Sequence, residues 1–63
     1  MPLSREKLNE LHELGTLIES LTSSAYSSFL MGREQASGEL VGTVEDLVED
    51  TKAVVEELRA PPP

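Results

Sequence analysis

Leu40, Val44, Leu47, Thr51, Val54 and Leu58 recur at alternating steps of four and three residues, and Val41, Val48 and Val55 form a further row beside them. On a helix this spacing lays down one wide apolar stripe, so the segment must press against other helices. The first half carries the same alternation in Leu11, Leu14, Ile18, Leu21, Ala25 and Ser28. It is flanked by Leu8, Gly15, Thr22 and Phe29 on one side and by Leu17 and Met31 on the other. Two amphipathic helices are therefore expected, with Leu11, Leu14, Ile18, Leu21 and Ala25 of the first and Leu40, Val44, Leu47, Val48, Val54, Val55 and Leu58 of the second forming the core of an oligomer.

The first helix has a defined start. Ser4 is a good N-cap, Glu6 places negative charge in the first turn, and Leu3 and Leu8 stand where a hydrophobic staple forms. Gly32 is a possible C-terminal glycine, but Arg33, Glu34 and Gln35 are good helix formers, so the helix is expected to run over about residues 4–35. The turn then falls at 36–38, and the second helix covers about 39–60 with Ser37 as its N-cap. Thr43 offers a second possible cap, which would leave Leu40 and Val41 in the loop. Arg59 suits the negative end of the helix dipole, and Pro61 disfavours helical geometry at Ala60, leaving 61–63 as a short extended proline tail.

The 63 residues allow one domain, 1–63. A chain of this length buries only about 60% of the surface its unfolded form exposes, and with no Cys it has neither disulfides nor a thiolate zinc site to reinforce it. A short connection between long helices makes them antiparallel neighbours, and each stripe is wider than one neighbour covers. The expected fold is all-α, an antiparallel helical hairpin that dimerises into a four-helix bundle.

Charge narrows the possible partners. Twelve acidic residues face five basic ones, for a net charge of −7. The imbalance is concentrated late in the chain, where from Ala36 onward only Lys52 and Arg59 offset Glu39, Glu45, Asp46, Glu49, Asp50, Glu56 and Glu57. Nucleic acids and anionic membranes attract the opposite sign, so direct nucleic-acid binding is not expected. No run is long enough to span a bilayer and no signal-peptide pattern opens the chain, so no membrane insertion and a cytoplasmic location are expected.

The middle of the first helix is the least ordinary stretch. From Ser20 to Gly32 no residue is charged, and the reading SLTSSAYSSFLMG is rich in Ser and Thr. Small residues at Thr22, Ala25, Ser28 and Gly32 permit a tight helix crossing; docking of another protein, or Ser phosphorylation, is the competing reading. Phe29, Leu30 and Met31 run consecutively and point around most of the helix circumference, so one neighbour cannot bury all three. Tyr26 and Leu30 form an apolar pair four residues apart on the side away from the stripe. Tyr26, Phe29, Leu30 and Met31 are thus candidate partner-binding residues, or else they pack against the turn or a second protomer.

Catalytic chemistry finds little footing. His12 is the single His, and its helical neighbours Leu8, Asn9, Gly15 and Thr16 include no carboxylate, so it does not form a helical Glu-x-x-His metal site. No nucleophile elbow accompanies it, and the four glycines match neither a phosphate loop nor a dinucleotide fingerprint. Glu45, Asp46, Glu49 and Asp50 lack the spacing of a calcium loop and lie along a solvated face, where they serve either as a docking face for a basic partner or as a solubility device. No enzyme activity, metal or cofactor is expected. The expected role is a protein-protein interaction module acting as a homodimer: an adaptor, scaffold or assembly factor. The competing reading is an acidic inhibitor or antidote that occupies a basic groove of a partner.

Overall fold

In the computed structural model, which describes residues 3–60, the chain is a helical hairpin: α1 spans Arg5–Leu30 and α2 spans Glu34–Arg59. No strand occurs among the described residues. Both helices have 26 residues, about 39 Å at a rise of 1.5 Å per residue, so they pair along their whole lengths. The hairpin measures 50 × 15 × 10 Å.

α1 starts as its sequence dictates. Ser4 is extended and its hydroxyl accepts a hydrogen bond from the Lys7 amide at 3.3 Å, satisfying one of the unpaired donors of the first turn. Leu3 and Leu8 remain 59% and 41% exposed, so the expected staple shields neither from water.

The turn is displaced from the expected 36–38. Helix α1 stops at Leu30, and Gly32 takes a φ of +78°, a conformation that costs other L-residues about 1–2 kcal/mol. Gly32 N–H donates to Phe29 C=O at 3.0 Å and Arg33 N–H donates to Ser28 C=O at 2.8 Å. This paired closure, a Schellman motif, satisfies carbonyls that the end of a helix otherwise leaves bare. The helical propensity of Arg33, Glu34 and Gln35 is weaker than that closure, and Glu34 and Gln35 instead open α2. Arg33 is the N-cap without a side-chain bond, while Glu34 puts negative charge at the positive helix end. Ser37 is consequently inside α2 rather than its cap, Thr43 donates to Glu39 C=O within the helix, and Leu40 and Val41 are helical.

α2 ends at Arg59, and Ala60 is extended (φ −65°, ψ 133°), the geometry favoured before a proline. The expected proline tail at 61–63 lies outside the described residues.

The helices meet along Lys7, Leu11, Leu14, Ile18, Leu21, Ala25 and Ser28 of α1 and Ser37, Leu40, Val44, Leu47, Thr51, Val54 and Leu58 of α2, each half-buried or buried. Two bonds fasten the ends of this seam. Near the turn, Ser37 Oγ donates to Ala25 C=O at 2.8 Å, a contact that needs the small side chains found at that end. At the open end, Lys7 Nζ lies 2.6 Å from Glu57 Oε2 and 3.4 Å from Glu10 Oε2. Glu57 foremost, then Glu10, holds the Lys7 ammonium charged and raises its pKa above the ordinary 10.5.

Among the described residues only Ala25 and Val54 are buried. Val48, expected in the core of the oligomer, is 37% exposed in the single hairpin, because its row lies beside the seam rather than on it.

Gly32→Ala should lower stability by about 1–2 kcal/mol in urea denaturation, since alanine must adopt the left-handed backbone. Gly38→Ala, inside α2 with open space around it, should raise stability by about 0.5–1 kcal/mol. The Lys7 pair contributes fully below the ordinary lysine pKa and is lost as pH rises through the raised value. Wild type should therefore melt slightly above Lys7→Gln at about pH 9, and the gap should close at alkaline pH above the raised pKa.

Candidate interaction surface

The seam divides the remaining surface into two flanks. Lys7 reaches both Glu10 and Glu57, which places the row Glu10, Leu17, Ser24 and Met31 of α1 on the same side as Ala36, Thr43, Asp50 and Glu57 of α2. The opposite flank combines Leu8, Gly15, Thr22 and Phe29 with Val41, Val48 and Val55. On that side Ile18 shows at the floor of an open groove between Val48 and Val55, with Lys52 and Arg59 at its rim. Same-named flanks of two antiparallel helices adjoin one another, so the two Val-side rows make one continuous uncharged strip.

Water reaches much of this strip. Leu8, Phe29 and Val41 are 41%, 57% and 50% exposed. The chain exposes 5039 Å², against about 4,000 Å² for a compact monomer of its mass. The excess reflects the elongated shape of two helices with no third layer packed on them.

Around the turn, Tyr26, Leu30 and Met31 are each 65% exposed. With Phe29 they occupy an arc that extends from the uncharged flank around the outer face, as their consecutive placement requires. The rest of the uncharged stretch is used internally. Ala25 and Ser28 belong to the seam, Thr22 Oγ1 donates to Ile18 C=O at 2.6 Å, and Gly32 makes the turn. The tight crossing read from this stretch is thus located at Ala25, where Ser37 approaches.

Glu45, Asp46, Glu49 and Asp50 are all exposed on α2 and form an outer acidic arc. Lys52 Nζ lies 3.3 Å from Glu49 Oε1, a solvated pair of little energetic weight. Among the described residues no group of three or more Asp, Glu or His side chains is arranged to hold a metal ion. His12 is exposed beside Glu13, Thr16 and Leu17 in a shallow depression. Thr16 Oγ1 donates to the His12 carbonyl at 3.0 Å, which leaves the imidazole itself free of this bond. Among the described residues no helix is long and apolar enough to cross a membrane.

The chain matches no protein-family model, no curated protein and no solved structure.

Two features were not resolved by spacing alone. The continuity of the Leu8 and Val41 rows depends on the register between helices, and the Ser37 to Ala25 bond joins residues twelve positions apart that belong to different helices. A turn glycine followed by Arg33 was the available signal for both.

Leu30→Gln should leave stability within about 0.5 kcal/mol, because the side chain is two-thirds exposed. Val54→Ala, at a buried site, should cost about 1–3 kcal/mol by the same denaturation measurement.

Proposed function

We propose that this protein is a small non-enzymatic protein-protein interaction module, an adaptor, scaffold or assembly factor, that acts as a homodimer closing two hairpins into a four-helix bundle. One observation carries the reading. Two 26-residue helices pair over their full length and still bury only Ala25 and Val54, while a continuous apolar strip stays in water. Such a strip is a cost to an isolated chain and a contact surface for an associated one. Cross-chain packing converts half-buried Leu11, Leu14, Ile18, Leu40, Leu47 and Leu58 into a closed core, the cheapest reinforcement for a chain of this size without Cys. The exposed Tyr26, Leu30 and Met31 then supply aromatic and Met-rich anchors for a different protein at the turn.

The acidic arc of Glu45, Asp46, Glu49 and Asp50 supports a second reading, an inhibitor or antidote whose α2 occupies a basic groove. The two differ in salt dependence, since an electrostatic partner is released as ionic strength rises and an apolar one is retained.

Sedimentation equilibrium at micromolar concentration should give about twice the chain mass, and the melting temperature should rise with protein concentration. A compact monomer with a concentration-independent melt would overturn the homodimer. For the partner surface, Leu30→Gln should keep the dimer mass and lose the partner captured by wild type at high salt. Capture abolished by salt, and by Glu49→Lys rather than Leu30→Gln, would favour the acidic reading.

A further inference from the structure

We propose that the homodimer is built across the flank carrying Val41, Val48 and Val55, by a two-fold axis that lays the turn of one hairpin over the open end of the other. The inference rests on the homodimer reading above and adds its face, register and direction.

The face follows from charge. Between two copies, a two-fold axis brings a surface against itself. The flank with Leu17 also carries Glu10, Asp50 and Glu57, so self-contact there sets carboxylates against carboxylates. The other flank is uncharged along its length, apart from Glu34 beside the turn. Its bordering rows hold Arg5, Lys52 and Arg59 together with Glu19 and Glu45, a mixed border rather than an acidic one, although Glu45, Asp46 and Glu49 line the open groove beside Val41 and Val48 and Glu56 the one beside Val55. The strip runs about 32 Å along α1, from Leu8 to Phe29, and the roughly 1,000 Å² of surface beyond that of a compact monomer is of the order of the 800 Å² per partner that a standard interface buries.

The register follows from the seam. Lys7 stands level with Glu57 and Ala25 with Ser37, which sets Gly15 level with Val48 at the middle of the strip. Gly15 lies inside α1, where glycine is unfavourable, and a Cβ there would meet nothing within 4 Å in the hairpin. Nothing within one chain requires a glycine at this point. The same is true of Gly38 and Gly42 in α2, so the open space does not single out Gly15; at this level the missing side chain leaves room for a second backbone to cross at the two-fold axis. About this level the strip is symmetric: Leu8 lies opposite the partner's Thr22, and Val41 opposite the partner's Val55.

The direction follows from the border rows, which on α1 read Arg5, His12, Glu19 and Tyr26, and on α2 Gly38, Glu45, Lys52 and Arg59. With the turns at opposite ends, each α1 lies over the partner's α1. To within about one residue rise of 1.5 Å, Glu45 then opposes the partner's Lys52 and His12 the partner's Glu19, while Arg5 is level with uncharged chain beside the partner's turn and faces no cation. With both turns at one end, α1 lies over the partner's α2. Arg5 then opposes the partner's Arg59, His12 the partner's Lys52, and Glu19 the partner's Glu45. The first arrangement pairs Glu45 with the partner's Lys52 and sets no like charges together at these heights, whereas the second sets Arg5 against the partner's Arg59 and Glu19 against the partner's Glu45.

Because the chain has no Cys, single cysteines report contacts without background. The full chain is first tested for dimeric mass, and a monomer would overturn the homodimer reading and this arrangement together. In a dimer under mild oxidation, Val48→Cys should link to itself as the major product. Leu8→Cys should link to Thr22→Cys in a mixture and not to Val55→Cys. Linkage of Leu8→Cys to Val55→Cys, or of Leu17→Cys to itself with Val48→Cys unlinked, would keep the homodimer and overturn this arrangement. Charge gives a second measurement that needs no cross-link. Glu45→Lys should weaken dimerisation about two- to tenfold, and Glu45→Lys combined with Lys52→Glu should restore it. Strengthening by Glu45→Lys alone is the result for both turns at one end, and overturns the proposal.

Discussion

Two helices laid side by side bury each other only along the line where they touch. In this protein that line runs from the Lys7–Glu57 pair at the open end to the Ser37–Ala25 bond beside the turn. Every other property depends on how little it covers. Leucine and isoleucine side chains in the middle of the seam are still partly wetted, and the two buried residues, Ala25 and Val54, are modest in size. At about 25 cal/mol per Å² of apolar surface removed from water, such a contact offsets only part of the entropy of ordering more than fifty residues. The hairpin is a half-finished core, and its chemistry as a surface follows from that.

Register is the second constraint, and Gly32 controls it. Ending α1 at Leu30 and starting α2 at Glu34 makes the helices equal in length and brings Ser37 against Ala25. A turn five residues later would shift α2 along α1 and rotate its rows relative to the seam. The glycine does this through backbone geometry alone: its positive φ aims two amides back at the Phe29 and Ser28 carbonyls and stops the helix despite good helix formers downstream.

Polar groups in the hairpin are arranged so that its uncharged faces carry few unmet demands. Thr16, Thr22, Thr43 and Thr51 each donate to the carbonyl four residues back, which satisfies the hydroxyl within its own helix. Among the described residues no buried side-chain polar atom lacks a partner. Threonine on or beside a contact face therefore brings little desolvation cost, whereas the acidic residues on the outer arc keep the remaining surface solvated.

Much of the fold was legible in the residues. The three-and-four alternation from Leu11 to Ala25 and from Leu40 to Leu58 specifies two amphipathic helices, because apolar side chains at that period must share one face. Ser4 specifies the start of the first by local hydrogen bonding, and the exposure of Phe29, Leu30 and Met31 follows from consecutive residues pointing in different directions. The end of α1 was misjudged: helix propensity at Arg33 to Gln35 and left-handed closure at Gly32 compete locally, and the closure is reinforced by packing that only the paired helices provide, with Ser37 held against Ala25. Val48 lies beside the seam of the hairpin rather than on it, because a stripe two rows wide does not state which row meets the neighbouring helix. Periodicity along one helix is a property of the chain; which rows of two helices lie side by side, and which charges share a height, is decided by the register that the tertiary contact sets.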